Sequence, residues 1–331
     1  MKGIIRQVGA DADATQENIE KTLAGTEFFW LDLDLHDPGP DDDVEGLLYH
    51  TFQFHPLAVT AAMKFGQRPR IDNFDDFTHV ITFGMASDGK TVAEIHCFIT
   101  EKFIVTLHEG KCPALLAVVV QRIRDQRRDT QVPPQIGLLY LILDSLIDSF
   151  FPVMSEMDED IDALESAILK NPTEKQLGTL FDMKRQVMTI RRVVAPQRDM
   201  IESLNGGMVT IPGLTDADSV YFRSVYDHTI RITDMADSYR DLISGAMDTH
   251  LSMVSNRLNV IMKQLAIVAT FFLPLGFLTG FFGQNFAWLT NHLQTSLPYF
   301  LFLGIGTELV AVIVLVTMFR RRGWLGSGPT A

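Results

Sequence analysis

A chain of 331 residues allows two or three domains, and its formal net charge of −13 provides no basic face for phosphates, so nucleic acid is excluded as a partner. Cys97 and Cys112 stand too far apart for a Cys-x-x-Cys redox pair and fit no zinc ribbon, so buried thiols are expected. No Gly-x-x-x-x-Gly-Lys-Ser/Thr, Gly-x-Ser-x-Gly or His-Glu-x-x-His run occurs, which argues against an enzyme and against any bound cofactor.

Residues 1–130 read as a cytoplasmic α/β domain. Met1 to Gln16 has no apolar core, so no signal peptide is expected there. Strands are expected at Phe28–Leu33, His79–Met85 and Phe103–Leu107, where β-branched and aromatic residues gather. Asp37-Pro38-Gly39-Pro40 and Ser87-Asp88-Gly89 are turn signals. The run Asp32-Leu33-Asp34-Leu35-His36-Asp37 begins like a calcium loop, but Asp37 stands where Gly is needed and Asp43 where Glu is needed, so it is set aside as a metal site.

Residues 131–207 read as a helical hairpin. Leu139, Ile142, Leu146, Phe150 and Val153 recur at helical spacing. Asn171-Pro172-Thr173 then interrupts the pattern, because the residue before proline is driven out of the α region. The acidic run from Glu156 to Glu165 reads as a solvated helix face, with a raised local divalent-cation concentration as its functional alternative. Asn205-Gly206-Gly207 breaks the chain, and a third helix is expected from Thr215 or Asp216 onward. That helix follows Pro212-Gly213, runs without another proline until Pro274 and is on the order of 100 Å long; residues 208–264 form the cytoplasmic stalk.

Two uncharged or nearly uncharged segments follow, residues 265–282 and 297–319, joined by a loop over 283–296. Each is long enough to cross a bilayer core of ~30 Å as a helix. Arg257 and Lys263 precede the first, Arg320-Arg321-Arg322 open the tail at 320–331, and the loop has no Lys or Arg. The positive-inside rule then places both termini in the cytoplasm of a multi-pass protein of the cell (inner) membrane. The fold class expected is an α+β membrane protein, with an N-terminal α/β cytoplasmic domain, a long helical stalk and two C-terminal transmembrane helices in contact with lipid.

The run from Thr270 through Leu273-Pro274-Leu275-Gly276 to Gly283-Gln284-Asn285-Phe286 resembles the pore helix and signature loop of the CorA superfamily of divalent-cation channels, whose usual signature is Gly-Met-Asn. His55-Pro56-Leu57, Gln67-Arg68-Pro69-Arg70, Tyr221-Phe222-Arg223-Ser224-Val225-Tyr226-Asp227-His228 and Arg322-Gly323-Trp324-Leu325 resemble the same family, in the same order. The resemblance implies a homopentamer with the first membrane helix on its axis, passing Mg²⁺ foremost, with Co²⁺ and Ni²⁺ as passengers. Zn²⁺, with proton coupling, is the alternative within the superfamily. A membrane-anchored sensor or scaffold without conduction is the alternative of another class.

Asn259, Met262, Ala266, Ala269, Leu273, Gly276 and Gly280 recur every three or four residues and share one helix face. Small residues of this kind also pack membrane helices together. The resemblance turns the face toward the pore, with Asn259 at its cytoplasmic mouth and Met262 and Leu273 as apolar rings able to dewet and close. At the outer end Gly283, Gln284 and Asn285 form the expected metal-selecting loop, since five Asn285 amides would accept hydrogen bonds from the water around Mg²⁺, which dehydrates reluctantly. Glu308, the one formally charged residue between Lys263 and Arg320, is a candidate proton site. Two family carboxylates that form an intracellular Mg²⁺ sensor are replaced by Ala61 and Ser224, and the resemblance therefore implies that this sensor is lost.

Overall fold

The computed structural model describes residues 2–7, 10–36, 43–110, 113–125, 132–284, 287–292 and 297–324. The chain divides into two units, residues 1–250 and 251–331.

In the first unit the chain runs through β1 (Lys2–Gln7), β2 (Ala10–Asp13), α1 (Gln16–Ala24), β3 (Phe29–Asp34), α2 (Val44–Gly46) with a π turn at Leu47–Thr51, and α3 (Pro56–Ala62). It continues through β4 (Arg70–Asn73), β5 (Thr78–Met85), β6 (Val92–Ile99), β7 (Phe103–His108) and α4 (Pro113–Asp125). The strands form one sheet in the order β2-β1-β3-β7-β6-β5-β4. Every pairing is antiparallel except β3 with β7. The three expected strands are β3, β5 and β7; sequence reading passed over the other four. Asp32 and Asp34 lie on β3 rather than in a calcium loop, with Asp32 accepting from the Thr106 hydroxyl at 2.7 Å, while Asp37 lies outside the described residues. Cys97 is buried on β6, and Cys112 lies outside the described residues.

Helices α5 (Pro134–Asp148) and α7 (Glu174–Asn205) cover one face of the sheet, and α6 (Phe150–Lys170) forms the other arm of the hairpin with α7. Gln197 on α7 ties helix to strand, taking the Thr82 hydroxyl at 2.7 Å and the Phe83 N–H at 2.5 Å on its side-chain oxygen. Gly84 permits the close approach of α5: a Cβ there would meet Leu146 Cδ2 at 2.7 Å. The expected periodic run from Leu139 to Val153 is buried throughout, but it crosses a helix boundary at Ser149. The Ser149 hydroxyl accepts the Met85 N–H at 2.7 Å, which draws the chain toward the sheet there. Thr173 and Gln176 close a capping box at the start of α7, and the acids from Glu156 to Glu165 are exposed, as a solvated face requires.

On the opposite face Phe29, Phe98 and Phe103 pack with Phe52 and Phe54, Ile19 of α1, and Ala58, Val59 and Ala62 of α3. One polar chain runs through the buried sheet. Glu94 accepts the backbone N–H of Gly66 (2.5 Å) and of Gln67 (3.2 Å), and lies 3.0 Å from His96 Nε2. His96 Nδ1 in turn lies 3.1 Å from His79 Nε2, and His79 Nδ1 is buried without a partner. Burial foremost, then His96 and Arg70, lowers the His79 pKa to about 3.

A 3-10 turn at Asp216–Asp218 leads into α8 (Ser219–Phe282), where the third helix is expected. Asp218 stabilises this start by accepting from the backbone N–H and the hydroxyl of Thr215, at 3.0 and 2.6 Å. Among the described residues, three helical stretches are long and apolar enough to cross a membrane. The apolar window of Pro134–Lys170 is 67% buried inside the first unit, whereas the windows in Ser219–Phe282 and Leu297–Arg321 are 0% buried, which separates core helix from membrane span.

The second unit holds the end of α8, then α9 (Ala287–His292), α10 (Leu297–Tyr299), a π segment at Phe300–Ile305 and α11 (Gly306–Arg321). The second span is thus helical as expected, with one widened turn near its start. Within the wide turn the Gly306 N–H reaches back to Leu301 O, and the Thr307 hydroxyl donates to Leu303 O and Gly304 O, compensating carbonyls that the α-helical ladder would have used.

Candidate functional site

The seven residues expected to share a pore face are all exposed on α8, Met262 at 67% and Leu273 at 75%. A Cβ at Gly276 or Gly280 would meet nothing within 4 Å. Half-buried positions fall elsewhere on the span, at Ile267, Thr270, Phe271, Pro274, Leu275, Leu278 and Phe282. At about 100° per residue, the two sets centre on opposite sides of the helix. The half-buried side meets the second span, where the Phe271 and Phe319 rings lie 5.4 Å apart. The face from Asn259 to Gly280 is thus turned away from the chain's own second span. Thr270 and Thr279 donate their hydroxyls to Ala266 O and Leu275 O of the same helix, each at 2.7 Å, so neither leaves an unsatisfied donor in the span.

Helix α8 ends at Phe282. Gly283 N–H still bonds Thr279 O at 2.8 Å and Gln284 N–H bonds Phe281 O at 3.3 Å, so the chain leaves the helix by a tight turn. A Cβ at Gly283 would press on Thr279 O at 3.0 Å, which favours glycine here. The C-terminal end of a helix carries partial negative charge on its free carbonyls, a field that attracts cations to this turn. Asn285 lies outside the described residues.

Glu308 is half-buried on α11. Two contacts fix how the spans pair: Phe271 against Phe319, and Lys263 Nζ over the Trp324 ring at 5.9 Å. Moving up α8 therefore means moving back along α11. Eleven residues of α-helix, about three turns and ~16 Å, separate Phe319 from Glu308 and equally Phe271 from Phe282. Ideal helical geometry thus puts Glu308, midway along the second span in sequence, level with Phe282, the last residue of α8.

In the first unit Ala61 is half-buried on α3 and Ser224 is exposed on α8, and neither offers a carboxylate. Sequence reading missed a different cluster. Asp144 and Asp148 of α5 and His228 of α8 present ligand atoms that all lie within 4.8 Å of one another. His228 Nδ1 is 2.8 Å from Asp148 Oδ1, while Arg122 Nη1 is 2.7 Å from Asp144 Oδ2. Burial, then the neighbouring charge of Asp144, raises the Asp148 pKa. Two carboxylates this close favour a cation between them, and Arg122 already supplies one to Asp144. The available signal was a pair of acids four residues apart in the otherwise uncharged run of α5.

The sequence matches the family described as "CorA-like Mg2+ transporter protein" over residues 25–321. It is 32% identical over 279 residues to the cobalt/magnesium transport protein CorA of Thermotoga maritima, covering 83% of this chain and 78% of that protein. It is 30% identical over 298 residues to the putative metal ion transporter YfjQ of Bacillus subtilis, 90% of each, and 24% identical over 321 residues to the zinc transport protein ZntB of Yersinia enterocolitica, 95% of this chain and 89% of that protein. The solved structure of the CorA magnesium transporter from Methanocaldococcus jannaschii superposes with a TM-score of 0.80 over 98% of this chain and 99% of that one, at 20% identity, which establishes the fold. The chain belongs to the CorA-like Mg²⁺ transporter family: it is a divalent-cation transporter with C-terminal membrane helices, and not an enzyme.

Proposed function

We propose that this chain assembles as a homopentamer in the cell (inner) membrane, both termini cytoplasmic, and admits hydrated Mg²⁺, with Co²⁺ and Ni²⁺ as further passengers. The observation that carries the reading is the exposed face from Asn259 to Gly280, polar at one end, small along its length and apolar at Met262 and Leu273. A face turned away from its own partner helix suits an axis shared by several copies, and two apolar rings suit a gate that closes by expelling water. Gly283, Gln284 and Asn285 then form the outer selecting loop, where amide oxygens hold the hydration shell rather than the bare ion. Similarity to cobalt/magnesium transport proteins favours Mg²⁺ and Co²⁺.

A second reading is Zn²⁺ transport coupled to protons. It draws on Gln284 in place of the family's Met and on similarity to ZntB. Uptake of Mg²⁺, Co²⁺ and Zn²⁺ by the purified protein in liposomes, with and without a pH gradient, separates the two. Gradient-independent Mg²⁺ uptake is expected. A Zn²⁺ flux that requires the gradient would select the second reading, and no flux of any of the three ions would leave a sensor or scaffold.

A further inference from the structure

We infer that Glu308 is a positioning charge for the outer loop: its carboxylate stands behind Gly283-Gln284 and raises the occupancy of a divalent cation at the outer mouth. The inference rests on the transport reading above but concerns a residue that reading leaves outside the cation path.

Three observations carry it. First, the pairing of the spans puts Glu308 level with Phe282. Eleven residues rotate an α-helix by about 20° beyond three full turns, so Glu308 lies on nearly the same side of α11 as Phe319, and Phe282 on nearly the same side of α8 as Phe271. Because Phe271 and Phe319 meet, Glu308 and Phe282 share the seam between the two helices. The half-burial of both side chains agrees with this.

Second, no Lys or Arg stands at this level to neutralise the carboxylate. No Lys or Arg occurs between Lys263 and Arg320, and the hydroxyls nearest along the two helices, on Thr279 and Thr307, donate to carbonyls of their own helices. Third, the other half-buried positions of the span, Ala311, Val312, Leu315 and Val316, fall on the same side of α11 as Phe319 and Glu308, while Leu309, Val310, Ile313 and Val314 are exposed.

A carboxylate so placed adds to the negative end of α8. The two act on the same point, the turn through Gly283, and a divalent cation feels twice the attraction of a monovalent one. In the proposed pentamer five such charges would ring the loop from behind without touching the ion, which concentrates it without trapping it.

The test uses the full-length protein in liposomes with Mg²⁺, and with Co²⁺, as the only transported ions. Glu308→Gln keeps the shape and removes the charge. It is expected to raise the half-saturating concentration about three- to tenfold while leaving the maximal rate near wild type, and to flatten the dependence of half-saturation on external salt. Glu308→Asp is expected to restore both. An unchanged half-saturation in Glu308→Gln overturns the inference. So does a normal Gln variant beside a defective Glu308→Ala, which would assign Glu308 a hydrogen-bonding role, and so does a lowered maximal rate with lost pH response, which would assign it proton transfer. If the Gln variant does not assemble by native mass, the wild type decides: half-saturation that does not rise with external salt refutes the charge. Absence of flux in the wild type would defeat the transport reading, whereas wild-type flux with a silent Gln variant defeats this inference alone.

Discussion

Acid should weaken the first unit through one identifiable side chain. Glu94, held by the N–H groups of Gly66 and Gln67, fixes the proton of His96 on Nε2; His96 Nδ1 then accepts from His79 Nε2–H, and His79 Nδ1 is left bare in the interior. A second proton on His79 would be a buried charge without a partner, so the folded pKa is depressed from 6.5 to about 3. An unfolded chain takes that proton once the pH falls below 6.5, and the folded chain does not until about 3, so stability is lost as pH falls through this window and is fully present above it. Each pH unit in the window costs up to about 1.4 kcal/mol, so at two units below 6.5 the loss from His79 is on the order of 3 kcal/mol. His79→Gln keeps an N–H for His96 and cannot titrate. Chemical unfolding of wild type and variant, followed by fluorescence of the buried Trp30 at pH 7 and pH 4.5, gives the comparison, because the acid titration of carboxylates is common to both. The variant should lose about 3 kcal/mol less than wild type over that interval. Equal acid losses would refute the bare-nitrogen argument.

Asn285→Ala should abolish divalent uptake while native mass spectrometry still finds the wild-type assembly, because it removes only the amide that the proposed outer loop presents. Leu273→Ser or Met262→Ser should wet the apolar rings and raise basal conductance in planar bilayers; conductance no higher than wild type would make these residues packing. With Ala61 and Ser224 where family members place sensor carboxylates, Mg²⁺ should protect the first unit from proteolysis much less than it protects a sensor-bearing relative. Strong protection would turn attention to Asp144, Asp148 and His228.

Much of the membrane end was legible because its constraints are simple. Apolar length and a spacing of three and four from Asn259 to Gly280 are each one-dimensional signals, and helical geometry turns the second into a single face. Strands β5 and β7 were legible for a related reason, since continuous β-branched and aromatic runs suit a sheet buried on both faces. Strand β6 was not, because Glu94 and His96 interrupt its apolar pattern, and their burial is intelligible only once β5 supplies His79 and the turn at Gly66-Gln67 supplies its N–H groups. The cluster at Asp144, Asp148 and His228 was hidden in the same way, its members brought together across 80 residues by the packing of α5 against α8. The π segment has no periodic signature at all, being a single widened turn beside Gly304 and Gly306.

These two kinds of legibility bear on where ion selectivity resides. A pore face made of small and apolar side chains can be read from spacing, but it offers a passing cation little beyond room and dewetting. In the proposed pore, discrimination comes from charges and dipoles near the turn at Gly283: the carbonyl end of α8, the amide assigned to the outer loop at Asn285 and, in the inference drawn from the pairing of the spans, the carboxylate of Glu308 eleven residues from a phenylalanine seam. On that reading the first two favour a hydrated cation. A carboxylate behind the loop is an addition, and its effect scales with ionic charge, so it should sharpen divalent over monovalent binding more than it separates Mg²⁺ from Co²⁺. Competition by Na⁺ at constant ionic strength, balanced with a bulky cation that cannot enter the loop, separates site competition from screening and measures that distinction. Glu308→Gln should let Na⁺ inhibit Mg²⁺ uptake at lower concentration while leaving the ratio of Mg²⁺ to Co²⁺ half-saturation unchanged; a shifted Mg²⁺ to Co²⁺ ratio with unaltered Na⁺ competition would mean that Glu308 shapes the loop instead of charging it.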